Sequence, residues 1–494
     1  MKNPLFALAK QTLIYGISGV AIQAVGLVTL PIFARVFSQA AYGVLEIGTV
    51  TLAVLAILAD VGFASSSQRS YFDYSDAQPL ERRLVLSTAV LSSTAAAAAT
   101  AGVLVVAREP VSRWLFGGEP QTTLLVLIAA TLPVIILAQF TREVMRLRFR
   151  AWHYVVSSTI GAALTAGIGI VAVVWLDRGV DGVFWGALGG AAAAALYGLI
   201  VSYRYVGLGF SRSKLRTMLA YGVPLIPASL ALWSLTFIDR IMLARLDGLA
   251  EVGEYAVANR VAMPLLFLIS AFATAFSPFI LSTHAEDPEA EKRVRGRVLT
   301  YVTLVLVLAA LGLSLFAREI IEIVAPSYDR AFRAVGLVAF GLVTFGLSSV
   351  TMVGISLVRR TGYFALYSGI AAGINIALNF VLIPPWGMFG AGAATAVAYG
   401  LLAGLYYWKA QQIYPTPFEL RKVLTIFALG ALLTSIGALV IEPFGLAIAV
   451  KLAALGFFAL ALLPLGVLHR DEIAGLNAAA SRSLRKRATE TRAQ

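Results

Sequence analysis

Residues 122–141 read TTLLVLIAATLPVIILAQFT, twenty residues without a charged side chain. An α-helix rises about 1.5 Å per residue, so a helix of this length crosses the roughly 30 Å hydrocarbon core of a bilayer. Lipid offers the backbone no hydrogen-bond partner, and a helix satisfies its own N–H and C=O groups. The stretch therefore predicts a transmembrane helix.

Stretches of similar length and apolarity recur along the whole chain. Of its 494 residues, 59% are hydrophobic and 13% are charged, against about 25% charged in an average soluble domain. This predicts an all-α polytopic membrane protein with about fourteen transmembrane helices. The first span is too long for a signal-peptide core and is expected to be retained. The predicted spans are 13–34, 44–66, 85–106, 122–141, 154–176, 183–203, 218–243, 255–281, 298–317, 335–357, 363–383, 388–408, 423–441 and 445–468.

The distribution of Lys and Arg predicts the orientation of these spans. Twenty-eight of the 39 basic residues lie in the termini and the even-numbered connections, eight lie in the odd-numbered connections, and Arg240, Arg260 and Lys451 lie inside spans. Cytoplasmic loops carry the excess of positive charge, so both termini are predicted to be cytoplasmic. The basic tail, 469–494, fits a topological anchor or a contact with anionic lipid headgroups.

Several classes of function are disfavoured by composition. Cysteine is absent, and the three histidines lie far apart along the chain, so neither a disulfide nor a metal site is expected, and no cofactor is predicted. The basic residues are scattered over short connections, which argues against nucleic-acid binding. A membrane enzyme would need acid and base groups on substantial extramembrane loops, which this chain lacks.

The chain matches itself at an offset of about 210 residues. Arg35 and Gly43 correspond to Arg245 and Gly253, and Ala-Arg-Glu at 107–109 recurs at 317–319. Six spans per repeat give both units the same orientation, related by a pseudo-twofold axis along the membrane normal. The predicted organisation is a six-helix lobe at 1–210, a second at 211–415, two extra helices at 416–468 and the tail.

Motifs spread along the chain resemble those of the bacterial polysaccharide flippases, the O-antigen flippase-like family of the multidrug/oligosaccharidyl-lipid/polysaccharide superfamily. The motifs are LPIFAR at 30–35, AYG at 41–43, YGVPLIP at 221–227, IDR at 238–240, GEY at 253–255, PSY at 326–328, and IP at 383–384 with GMFGA at 387–391.

The resemblance implies a secondary transporter that needs no ATP. It would flip a polyprenyl-(pyro)phosphate-linked oligosaccharide to the outer leaflet of the bacterial inner membrane by alternating access, driven by an H⁺ or Na⁺ gradient. Membrane lipids and other polysaccharide-assembly proteins are the implied partners. Peptidoglycan-precursor flippases remain an alternative, although they tend to carry arginines in the middle of span 1, where this chain has Gln23 and Thr29. Multidrug or metabolite extruders are another, although they usually stop at twelve spans.

Ionisable residues inside the spans are the candidate substrate site, because charge in lipid is costly and is kept for function. Asp239 and Arg240 near the end of span 7 are expected at the same level as Asn259 and Arg260 near the start of span 8. Guanidinium groups suit phosphate oxygens. The structural alternative is a simple ion pair between Asp239 and either arginine.

Other candidates are more isolated. Asp60 and Asp239 could couple transport to an ion, although Asp60 could equally form a structural pair. Arg35 could bind substrate or extend to the membrane interface.

Two polar pairs complete the predicted substrate site. Tyr15 and Gln23 lie two turns apart and share a face of span 1. Asn375 and Asn379 lie one turn apart in span 11 and could bond either sugar hydroxyls or a neighbouring helix.

Overall fold

The computed structural model describes residues 25–463 apart from residues 76, 119, 359 and 361. No β-strand occurs in this part of the chain, which is helical over most of its length. Two of the predicted site residues, Tyr15 and Gln23, lie outside the described residues.

The membrane helices are numbered α1–α14, one for each predicted span. Helices α11 and α12 form one continuous run, Gly362–Ile413, divided at Gly387, whose backbone is not helical (φ 52°, ψ −130°). The helices are α1 (Val25–Val36), α2 (Gln39–Phe72), α3 (Pro79–Val106), α4 (Thr122–Leu147), α5 (Ala151–Trp175), α6 (Gly179–Ser202), α7 (Arg212–Leu246), α8 (Leu249–Glu286), α9 (Pro288–Leu315), α10 (Phe332–Leu357), α11 (362–386), α12 (388–413), α13 (Leu420–Gly437) and α14 (Phe444–Ala461).

The prediction of an all-α polytopic fold is confirmed, and every predicted span coincides with a helix where the structure describes it. Most of the helices are longer than the apolar stretches. The seventh, for example, begins at Arg212 rather than at 218, with the side chain of Ser211 accepting from the backbone N–H of Lys214. Polar residues outside the hydrocarbon continue or cap a helix without a desolvation cost, so hydropathy alone underestimates helix length.

Two helices bend where they meet. The bend in α2 lies at Val61 and Gly62, both in the left-handed region, and the bend in α7 is a turn of 3₁₀-helix at Val223–Leu225. A Cβ on Gly62 would lie 2.5 Å from the carbonyl oxygen of Gly222, and one on Gly222 would lie 2.6 Å from that of Val61. The two bends therefore nest against each other, which only glycine allows.

Consecutive helices run in opposite directions, so the connections gather at two ends of the bundle. The connections after odd-numbered helices form what we call the odd face, where Arg35 bonds to the carbonyl of Ile323. Those after even-numbered helices form the even face, where His284 contacts Tyr414. The odd face and the even face are thus the two opposite ends of the bundle.

The repeat is visible in the packing of α2 against α8. A Cβ on Gly43 would lie 1.9 Å from the carbonyl oxygen of Leu249, and one on Gly253 would lie 2.0 Å from that of Gln39. Residues 39 and 249, like 43 and 253, are 210 positions apart. The same contact is thus made twice, with the two repeats exchanging roles, as a twofold relation requires. Short helices at Arg108–Phe116 and Ala317–Val324 also occupy equivalent positions after α3 and α9.

Helices α13 and α14 join the bundle from outside the repeat. The first packs along α9, whereas α14 touches α9 and α13 only slightly. Its main polar anchor is Lys451, which is 1% exposed. The ammonium group lies 2.5 Å from Oε1 of Glu319, on the short helix after α9. This ion pair fixes α14 to the second lobe near the odd face.

Replacing Lys451 with methionine should destabilise the protein by about 3 kcal/mol, because the partly buried Glu319 carboxylate loses its counter-charge. Thermal unfolding in detergent is the measurement. The matched control is Lys422→Met, whose pair with Glu419 is more exposed and is worth less than about 1 kcal/mol. Equal melting temperatures for the two variants would contradict the role of the Lys451–Glu319 pair in fixing α14 to the second lobe.

Candidate functional site

A cavity of about 340 Å³ that contains a cluster of charged groups lies where α2 meets the second lobe. Its charged and polar lining comes from four helices, which bring together residues more than 300 positions apart. These groups are Glu46 and Thr49 of α2, Thr236, Asp239 and Arg240 of α7, Tyr255, Asn259 and Arg260 of α8, and Thr395 and Tyr399 of α12.

Arg240 is the central cation of this cluster and is 6% exposed. Its Nε donates to Oε1 of Glu46 at 2.9 Å, across the boundary between the lobes. Its Nη1 donates to Oδ1 of Asp239 at 3.0 Å and to the carbonyl of Thr236 at 2.5 Å. Buried charges are tolerated when they are paired and hydrogen-bonded, so this arginine holds two carboxylates and links the lobes.

Asp239 accepts hydrogen bonds on both carboxylate oxygens. Its Oδ1 accepts from the backbone N–H of Arg240 at 2.9 Å, in addition to the guanidinium. Its Oδ2 accepts from the hydroxyls of Tyr255, at 2.8 Å, and Thr395, at 3.2 Å. These four bonds fix the orientation of the carboxylate.

The asparagine pair of α11 extends this network. Asn375 Nδ2 donates to the Thr395 hydroxyl at 3.4 Å, and Asn379 Nδ2 donates to Asn375 Oδ1 at 3.1 Å. Both asparagines are fully buried. Oδ1 of Asn379 is buried without a hydrogen-bond partner among the described residues. The chain of polar groups therefore runs from Asp239 to an acceptor oxygen that is free to bind a further group.

Arg260 is the less committed of the two arginines. Its nearest carboxylate oxygen, Oε2 of Glu46, is 3.8 Å away, and its guanidinium lies 5.6 Å from the ring centre of Tyr42. Its side chain keeps 22% exposure. It faces α1 at Gly26, where a Cβ would lie 4.0 Å from Nη1. Within the described residues its guanidinium makes no ion pair closer than 3.8 Å, which leaves donors for an anionic ligand.

The structure brings some of the predicted site residues together and separates others. Asp239, Arg240, Asn259 and Arg260 line one cavity, with Asn259 donating to the carbonyl of Tyr255. The remaining described candidates are Asn375 and Asn379, which join through Thr395, and Arg35 and Asp60, which lie elsewhere.

Arg35 and Asp60 lie apart from the cluster. Arg35 is exposed at the odd face and donates to the carbonyl of Ile323. Asp60 accepts from the N–H of Ala64 at the bend of α2. It lines a separate cavity of about 150 Å³ with Gln139 and Ser229.

Sequence reasoning missed four residues of the cluster: Glu46, Tyr42, Tyr255 and Thr395. Glu46 carried a usable signal, since it is a carboxylate inside the apolar stretch 44–66. The two tyrosines belong to the AYG and GEY motifs, but those motifs assign their hydroxyl groups no partner, and the threonine carried no signal, because hydroxyl groups are common in spans and acquire a role only from their neighbours.

A larger and mostly apolar cavity of about 600 Å³ lies beside the charged one and shares Leu266 and Phe345 with it. It lies between α7, α8, α10, α11 and α12. Hydroxyl groups provide its polar lining: Ser270, Ser348, Ser349, Ser368 and Tyr406. The cavity that holds the charged cluster, at the boundary between the lobes, thus adjoins an uncharged cavity within the second lobe.

Comparison with known proteins gives both sequence and structural matches. The family model for polysaccharide biosynthesis proteins matches residues 8–284. An uncharacterized membrane protein of Methanocaldococcus jannaschii is 24% identical over 227 residues, 45% of this chain and 44% of that protein. The chain thus spans less than half the length of this curated relative.

Solved structures share the fold. A lipid II flippase, MurJ, in an inward closed conformation is 15% identical, with a TM-score of 0.71 over 90% of this chain and 98% of that one. An inward-facing multidrug resistance transporter of the MATE family, a member of the MOP superfamily, is 15% identical. Its TM-score is 0.65 over 81% of this chain and 94% of that one. At these identities the likeness concerns the fold.

Proposed function

The chain belongs to the family of polysaccharide biosynthesis proteins, and from that premise we propose that it flips a polyprenyl-(pyro)phosphate-linked oligosaccharide to the outer leaflet of the bacterial inner membrane. The observation that carries this proposal is the position of Arg260. Among the described residues its guanidinium makes no ion pair closer than 3.8 Å, and it lines a cavity between the lobes, where a phosphate would need groups that replace its water.

The orientation is part of the proposal. The excess of Lys and Arg at the even face assigns that face to the cytoplasm. The lobes touch at the odd face, through α2 and α8, so this arrangement corresponds to a transporter closed towards the outside. Flipping then requires the contact at the odd face to open, as in alternating access.

Two carboxylates are proposed to couple this change to an ion. Asp239 is one of them: the neutral hydroxyl groups of Tyr255 and Thr395 hold its Oδ2, and a hard cation that displaced them would gain the carboxylate ligand that such ions prefer. Asp60 lies in a small polar cavity at the bend of α2 and suits proton exchange. Transport driven by a Na⁺ gradient would point to Asp239 as the coupling residue, and transport driven by an H⁺ gradient would point to Asp60.

Arg260→Ala is expected to reduce flipping more than about tenfold while changing stability by less than about 1 kcal/mol, since within the described residues the arginine makes no ion pair closer than 3.8 Å. The assay follows the exposure of a labelled lipid-linked oligosaccharide on the far leaflet of proteoliposomes, under H⁺ or Na⁺ gradients. The control is Arg318→Ala, which removes a half-buried arginine that pairs with Glu322 at the odd face.

Two outcomes would redirect the proposal. Absence of flipping by the unmodified protein under every gradient would refute it. Flipping of a peptidoglycan precursor, or export of drugs or metabolites, with no response to other lipid-linked glycans would replace the substrate with one of the alternatives.

A further inference from the structure

A buried carboxylic acid lies in the contact that closes the odd face. Glu254 is the sixth residue of α8 and is 1% exposed. It follows Gly253, the glycine pressed against the carbonyl of Gln39. Any separation of α2 from α8 would therefore admit water to this side chain.

The two oxygens of Glu254 are unequally partnered. Oε1 accepts from Nε2 of Gln39 at 2.7 Å, and the same amide donates to the carbonyl of Ser327 at 2.8 Å. Oε2 is buried and has no hydrogen-bond partner among the described residues. An ionised carboxylate with a bare buried oxygen is costly, whereas a neutral carboxyl group needs less solvation.

The surroundings of Glu254 also disfavour a negative charge. Arg330 offsets part of this effect, but it is already paired with Glu251, and Asp329 adds a further negative charge. The charged and titratable groups near Glu254 on the elements packed around it are Tyr42 of α2, Glu251 of α8, and Tyr328, Asp329 and Arg330 of the α9–α10 connection.

We propose that Glu254 is a proton-binding site, which holds a proton while the lobes touch at the odd face and releases it to that side when they part. The proposal rests on the proposed function for its orientation, in which the odd face meets the outside. No proton crosses the membrane in this step, because uptake and release occur on the same side.

Proton binding to Glu254 makes the ratio of closed to open molecules depend on pH. The closed state binds one more proton than the open state, so a lower external pH favours closure of the odd face. The ratio of closed to open molecules changes by at most about tenfold per pH unit. Tyr328 does not take part in this titration, because burial raises the pKa of its phenol well above the usual range.

The test uses the natural absence of cysteine. The labelling sites are introduced by Val36→Cys, next to Arg35, and by Ile323→Cys, whose backbone carbonyl accepts from Arg35. Both positions are exposed. Spin labels at these two sites in proteoliposomes report the distance across the odd face from pH 5 to pH 9. We expect the short-distance population to fall as pH rises.

Glu254→Gln keeps the amide contact and cannot ionise, so its short-distance population should stay high at every pH. Glu322→Gln, an exposed acid of the same face, should retain the wild-type pH response. The proposal is overturned if the wild-type distances do not change with pH, or if Glu254→Gln responds like the wild type. It is also overturned if replacing K⁺ by Na⁺ at fixed pH produces the Glu254-dependent shift.

These readouts are independent of the substrate. A pH-dependent distance that is lost in Glu254→Gln, together with no flipping of any lipid-linked glycan, would refute the proposed function and leave the proton site in place. The reverse result would refute only the proton site.

Discussion

Replacing Arg240 with alanine should abolish transport and lower the free energy of unfolding by about 3–5 kcal/mol, the largest effect expected from a single side chain here. The substitution leaves the carboxylates of Glu46 and Asp239 buried without their cation, and both are less than 10% exposed. It also removes the ion pair between Arg240 and Glu46, 2.9 Å long, which is the only one that joins α2 to α7 within the described residues. The transport rate should fall by more than about 100-fold, equivalent to about 3 kcal/mol.

Two variants separate loss of charge from loss of shape. Arg240→Lys keeps the charge but lacks the planar fork that reaches both carboxylates, so it should fall between the wild type and alanine in both assays. Arg245→Ala removes an exposed arginine from the same helix, five residues further on, and should change stability by less than about 0.5 kcal/mol. If Arg240→Ala unfolded at the same temperature as Arg245→Ala, the central role of this arginine would be wrong.

Adding one methyl group at Gly43 should open the odd face. Its Cβ would lie 1.9 Å from the carbonyl oxygen of Leu249 and 2.8 Å from the carbonyl carbon. Both are backbone atoms, which cannot move aside as a side chain can, so the helices must separate. Overpacking of this kind costs about 1–3 kcal/mol, which reduces the closed-to-open ratio roughly fivefold to 150-fold.

The distance across Val36→Cys and Ile323→Cys is the measurement for Gly43→Ala as well. Gly253→Ala should give the same result, because the repeat places it in the equivalent contact, and the double variant should add little since both disrupt one interface. Gly400→Ala, with no atom within 4 Å of the new methyl group, is the control and should gain up to about 1 kcal/mol of helix stability. An unchanged distance in Gly43→Ala would contradict a closure that depends on this glycine.

The candidate site was only partly predictable. The shared depth of Asp239, Arg240 and Arg260 along the helix axes followed from counting residues along two antiparallel helices, because rise per residue is a local property. The side chains with which they pair could not be predicted in this way. Asp239 could have paired with Arg260, but the structure turns Arg260 towards Glu46 and Tyr42, and it places Thr395 beside Asp239. The rotation of each helix about its axis decides this.

The twenty uncharged residues of 122–141 illustrate what the sequence by itself determines. They fold as a membrane helix in any context that contains lipid, because backbone hydrogen bonding in hydrocarbon leaves no other choice. The same local argument gives the other spans, and the offset of 210 residues gives the two lobes. Only the tertiary structure decides that Arg240 donates to Glu46, 194 positions away in the sequence, and that Gln39 donates to the buried carboxyl group of Glu254. Those contacts depend on how whole helices pack, and packing is set by many weak interactions between distant residues that no single stretch contains.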